Sequence, residues 1–254
     1  MKTIGSSLNK AHSRVRPLCV LFAMLLIQAA SVSVFAQDTV QHEYVDLGLS
    51  VKWATCNIGA DKPEDFGDYY AWGEVEPTQE RSIENYKYCK GNNHSFTKYC
   101  TKKKYGYRRF TDNKITLDPE DDVANVKKGS DWRMPTIEEF RELIDNCTWD
   151  WESVNGVKGI MFTSNIPGYT DRSIFLPAAG GDGIRINYGD VDSDKSYYFG
   201  NYWSNTLDKD NPELAKGVYF IKYFIAEGRL DSPLNWVESR TYRDARRSVR
   251  PVCP

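Results

Sequence analysis

Glycine, asparagine, aspartate and proline recur every few residues along this chain, and punctuation that dense leaves little room for long helices. Aromatic residues make up 13% of the sequence, so the stretches between breakers favour short strands set in structured loops. The expected class is α+β with much irregular structure.

Two helices are nevertheless legible. The first is expected to begin at Asp118 as N-cap, with Pro119 at the first helical position, Glu120 and Asp121 in the first turn, and Lys127, Lys128 and Gly129 closing it. A helix start therefore explains the acidic run at 118–122 more simply than a calcium site does. The second is expected to start at Thr136, with Glu139 completing a capping box and Ile137, Phe140, Ile144 and Cys147 on one face. Strands are expected at 44–54, 159–163, 173–176, 217–225 and 247–253. Both faces of the 217–225 run are apolar, so it should be central. Pro251 confines the last run to an edge or a bulge.

Residues 1–36 have the order of a cleavable secretory leader. Lys2, Lys10, Arg14 and Arg16 carry charge with no acid among them, ten apolar residues follow at 18–27, and Val34-Phe35-Ala36 supplies small residues for cleavage. Gln28, Ser31 and Ser33 interrupt the apolar stretch before it reaches the ~20 residues of a membrane span. Cys19 lies at the start of that stretch, the wrong place for lipid attachment. The expectation is an exported protein, periplasmic, surface-bound or secreted, that starts at Gln37 with a short linker at 37–43. Four of the 33 basic residues leave with the leader, so 29 face 35 acidic ones and the mature net charge is −6. That balance argues against nucleic acid as a partner. No other stretch spans a membrane.

Six cysteines become five after cleavage. A Cys89–Cys100 disulfide is expected to staple a polar, Tyr-rich segment, while Cys56, Cys147 and Cys253 fit buried thiols or disulfides equally well.

Several strings then carry a resemblance: YVDLGLSVKWATCN at 44–57, GDYYAWGE at 67–74 and WRMPT at 132–136. CTWDW at 147–151, NGV at 155–157, IFLPAAG at 174–180, YWSNT at 202–206 and SVRPV at 248–252 follow in order. Together they resemble the Fibrobacter succinogenes major paralogous domain over residues 44–254. The resemblance implies a C-type-lectin-like fold, related to the formylglycine-generating-enzyme type, with short twisted antiparallel strands, two short helices and long loops. It implies no common activity. Two departures stand out: an extended segment at 79–115, and Arg246 where the family usually has glycine. Asp38-Thr39-Val40 also resembles a short O-glycosylation acceptor of exported Bacteroidetes proteins.

Three functions are compatible with these features: a binding module for glycan or protein, an extracytoplasmic enzyme, and an inert structural protein. The first is favoured. His42 and His94 fit no H-E-x-x-H motif, there is no G-x-S-x-G elbow, and the Arg-rich C-terminal region holds no cysteine pair. No cofactor is expected. Asp190, Asp192 and Asp194 alternate as in an EF-hand loop, yet Lys195 stands where glycine belongs and Asn201 where the closing glutamate does. A polar hairpin explains them better, and no metal is expected. The recognition surface is expected at 181–205 together with 79–115. Its candidate contacts are Tyr197, Tyr198, Trp203, Asn205, Asp190 and Asp192, with core packing as the competing role for Trp203.

Overall fold

The Asn155-Gly156 pair lies between two aromatic-rich runs, and both residues take positive φ, 49° and 86°. That is the backbone of a two-residue hairpin turn whose twist matches the strands it joins. It closes β3 (Cys147–Val154) onto β4 (Val157–Ser164), with Trp149 opposite Phe162 and Trp151 opposite Ile160. β5 (Ser173–Pro177) completes this three-stranded antiparallel sheet.

A computed structural model describes residues 44–181, 188–189, 195–225 and 235–254. The leader, the 37–43 linker and Asp190, Asp192 and Asp194 lie outside the described residues. Within them the chain forms small antiparallel sheets with few helices, the α+β, mainly β, class expected. A second sheet has the order β6 (Tyr188–Gly189), β7 (Lys195–Leu207), β8 (Leu214–Ile225) and β9 (Asn235–Tyr242). A third joins β1 (Tyr44–Val45), β2 (Lys52–Ala54) and β10 (Val252–Cys253).

β8 is central as expected, flanked on both sides, with Val218, Phe220 and Ile221 buried. Gly200 stands opposite Phe220, and a Cβ there would come within 2.2 Å of the ring. Only glycine lets that ring lie across β7. The expected strand at 44–54 is split, because Gly48 turns the chain at φ 74°. The last run contributes only Val252 and Cys253, at an edge, in keeping with Pro251.

The first helix starts later than its sequence suggests. Residues Pro119–Asp121 form a 3-10 turn, and Asp118 makes no side-chain cap. The α-helix proper, α1 (Val123–Lys128), is capped by Asp122, which accepts from the Ala124 and Asn125 N–H groups. Asp122 also accepts from Met134 N, which fixes the chain that leads to the second helix. That helix, α2 (Ile137–Asn146), has the expected capping box between Thr136 and Glu139. Its buried residues are Ile137, Phe140 and Leu143, while the expected Ile144 packs partly buried against the same core and Cys147 is buried at the helix end.

Two cores result. One is ordinary: α2 lays Phe140 against Trp53, beside Phe162, Leu176, Tyr202 and Phe220. The other is built from loops. Tyr86, Tyr88, Phe96, Tyr99 and Tyr105, all from 79–115, bury themselves with Trp72 and Trp203. These five rings of the Tyr-rich segment are thus interior and not available as recognition contacts, whereas Tyr107 and Phe110 of the same segment stay exposed. At its centre Arg243 is 1% exposed. Its guanidinium lies 4.3 Å from the Phe96 ring centroid and 5.2 Å from those of Trp72 and Tyr86. It donates to the Tyr86 hydroxyl and to the carbonyls of Lys98, Tyr99 and Pro212, at 3.0–3.2 Å. Loops make few ladder hydrogen bonds, so their buried carbonyls need donors, and one planar fork supplies three of them.

Cys89 and Cys100 belong to this core as separate thiols, and the expected bridge is not formed. Cys89 Sγ lies 2.8 Å from the Ile83 carbonyl and Cys100 Sγ 3.3 Å from that of Lys102. Packed rings stabilise the segment without a staple. Cys56 and Cys147 are free as well. Arg246 needs no glycine: the tight turn closes one residue earlier, through Ala245 N to Tyr242 O at 2.9 Å.

Candidate functional site

Asp118, Glu120 and Asp121 bring their carboxylates together in a way that would suit a cation. The protein supplies its own. Lys98 Nζ lies 2.5 Å from Asp121, 2.6 Å from Asp118 and 3.4 Å from Glu120, and Lys87 approaches Asp121 at 3.0 Å. Burial pushes the Asp121 carboxyl up, but donors from Lys98, Tyr88, Tyr99 and Lys87 outweigh it and hold the group well below the usual carboxylate range. This cluster ties the 3-10 turn to the loop-built core.

A cleft of about 530 Å³ opens where β7 ends, bordered by Glu138 of α2, Ile115, the 208–210 turn, Lys216 of β8 and Glu238 and Arg240 of β9. Along β9, Glu238 and Arg240 are two residues apart and so share a face, and Lys216 stands directly opposite Arg240. Asp208 shapes the turn. Its carboxylate accepts from the N–H groups of Asp210 and Asn211 at 2.9 and 3.1 Å, as a turn-forming aspartate does.

Every acid of the cleft has a cation. Arg240 reaches Asp208 at 3.3 Å, Lys216 reaches Glu238 at 3.1 Å, Arg141 bonds Glu238 and Glu138, and Lys102 approaches Asp210 at 3.8 Å. Burial raises Asp208, but the two backbone donors and Arg240 prevail and lower it. Burial likewise raises Glu238, and Arg141 and Lys216 overcome it. Both stay anionic near neutral pH. Only Asp122 among the described carboxyls is raised, by burial, and it is spent on capping α1 away from the cleft.

The candidate contacts at 181–205 fare differently. Trp203 is fully buried and its Nε1 donates to the Tyr70 carbonyl at 2.8 Å. Asn205 is 4% exposed, and its backbone N bonds Pro135 O. Both are framework, not contacts, because 195–207 is a strand and not a loop. Tyr198 is half-buried against the ordinary core, 6.3 Å from Trp151. Tyr197 pairs with Tyr188 and Tyr223 through β7, and its side chain lies outside the description. Asp190 and Asp192 lie outside it too. Of the cleft lining only Ile115 falls within a segment expected to form the recognition surface, and the charged residues were not foreseen. The usable signal was the outward alternation of Glu238 and Arg240 in a run not recognised as a strand.

No family model matches this chain, and no curated protein or solved structure matches it either.

Proposed function

We propose that this protein is an exported binding module that recognises a glycan or a surface protein at the cleft between α2, β8 and β9. The observation that carries this is the pairing of Asp208 and Glu238 with Arg240, Lys216 and Arg141. Carboxylates held as anions offer fixed hydrogen-bond acceptors beside fixed donors, which suits hydroxyl and amide groups. Glycoside hydrolysis needs a carboxyl whose pKa is raised so that it can donate a proton, and these two are shifted the other way.

A C-type-lectin-like fold of the Fibrobacter succinogenes major paralogous type fits the same picture. Its strings supply interior residues: Trp72 and Trp203 are fully buried, and Arg250 donates to Asn57 Oδ1 and the carbonyls of Ala54 and Phe175. Such residues would maintain a scaffold while edges vary.

A glycan array and a pull-down from bacterial or host surface material, run with native protein and with Lys216→Ala/Arg240→Ala, test the site. Retention by the native protein with at least about tenfold loss in the variant is expected, equivalent to ~1.4 kcal/mol. Equal retention removes the cleft. Turnover of a captured glycan replaces binding with catalysis.

A further inference from the structure

Residues 101–114 carry Lys102, Lys103, Lys104, Arg108, Arg109 and Lys114 against Asp112 alone, in a chain whose net charge is −2. Two of these cations are matched, Lys102 by Asp210 and Lys114 by Asp118. Asp112 is engaged by the Tyr99 and Cys100 N–H groups, both at 2.8 Å. Lys103, Lys104, Arg108 and Arg109 are exposed with no carboxylate in reach among the described residues. Lys104 and Arg108 lie instead over the Tyr105 and Tyr107 rings, at 4.4 and 5.2 Å. Tyr107 and Phe110 are themselves more than a third exposed.

The loop's backbone is also unusual. Arg108 and Arg109 take φ of 52° and 67°, two consecutive left-handed residues that are not glycine. The turn is held there by Tyr107 N to Phe96 O at 2.8 Å and Arg109 N to Gly106 O at 2.9 Å. It folds back so tightly that a Cβ on Gly106 would lie 1.9 Å from the Phe110 carbonyl oxygen. Glycine would relieve the strain at 108 and 109, and neither arginine is anchored by a carboxylate. Their presence is therefore best explained by something outside the fold.

We propose that this loop binds the acidic groups of a carboxylated polysaccharide whose neighbouring sugars occupy the cleft. The assignment rests on the reading of the cleft as a recognition site, and the two are joined physically: Thr101 Oγ1 donates to the Lys209 carbonyl at 2.8 Å, and Lys209 lines the cleft. Four unmatched cations beside exposed rings suit a sugar acid, which offers both charge and a flat face. The cleft holds four acids, Glu138, Asp208, Asp210 and Glu238. They would oppose a polyanion charged at every unit, such as DNA, but would accept the hydroxyls between widely spaced carboxylates.

Hyaluronan, whose carboxylates fall on every second sugar, is the probe, with neutral dextran, single-stranded DNA and phosphatidylglycerol vesicles beside it. Native protein should bind hyaluronan above all three, with affinity falling at least about tenfold from 50 to 200 mM salt. Arg108→Gly/Arg109→Gly should lose that binding at least about tenfold while its Tm does not fall, since glycine accepts the same backbone. Unchanged binding in this variant, or stronger retention of DNA or vesicles, overturns the proposal. If neutral glycans bind and only Lys216→Ala/Arg240→Ala weakens them, the loop assignment fails and the cleft stands. If hyaluronan binding depends on the loop alone, the cleft reading fails instead.

Discussion

The two cores solve the same problem by different means. Around Phe140, Phe162 and Phe220, strands and a helix satisfy the backbone first, and side chains then only have to fill space. Around Arg243, the 79–115 segment has almost no regular structure, so the side chains must also satisfy the backbone. A buried cation surrounded by aromatic faces does both, at about 2 kcal/mol for a desolvated cation–π contact and with directed hydrogen bonds besides. An irregular segment can thus contribute rings to a core as a sheet does, provided its buried carbonyls find a donor.

The contrast is broken most forcefully at Arg243. Arg243→Met keeps the bulk but leaves the Lys98, Tyr99 and Pro212 carbonyls without their donor, and should cost at least about 3 kcal/mol in urea unfolding. Phe140→Leu in the ordinary core should cost about 1 kcal/mol. Equal losses would mean that the guanidinium contributes only volume.

Next comes pH. Asp121 is held below its ordinary 3.8 in the folded state. Its stabilisation is therefore complete above the unfolded pKa and is lost as pH falls through the folded one. Native protein should lose about 2 kcal/mol from this group between roughly pH 5 and pH 2. Asp122 is raised by burial and acts in the opposite sense, favouring the folded state as pH falls. The comparison with Asp121→Asn isolates the effect, and that variant should show a flatter acid limb. Parallel limbs would detach the Lys98 cluster from the loop-built core.

The smallest effect concerns the thiols. Burial raises the pKa of Cys89 and Cys100, and lifts that of Cys147 to about 11. Alkylation of native protein at pH 8 should mark half-buried Cys56 first, and Cys89, Cys100, Cys147 and Cys253 only on unfolding. A non-reducing peptide map that shows Cys89 joined to Cys100 would mean that the loop-built core is covalently stapled after all.

The capping box at Thr136, the central position of β8 and the edge position of the last strand were legible because each depends on residues a few positions apart. Capping, periodicity and proline act locally. The shift of the first cap from Asp118 to Asp122 was not legible, since both are good caps and the choice rests on Met134, twelve residues on. β7 was misjudged for a similar reason. Its Gly200 and Asn201 look like a loop until Phe220 is laid across them.

The sequence by itself determined the α+β class and the existence of two helices, and it offered core packing as one of two roles for Trp203. Which tyrosines are interior was decided by tertiary structure alone. The rings at 86–105 meet Arg243 across separations of up to 157 residues, and the cleft draws its acids and bases from α2, β8, β9 and the turn at 208. Composition is identical for an exposed aromatic loop and a buried one. What separates them is whether a distant cation arrives to bond the carbonyls that burial would otherwise leave unpaired.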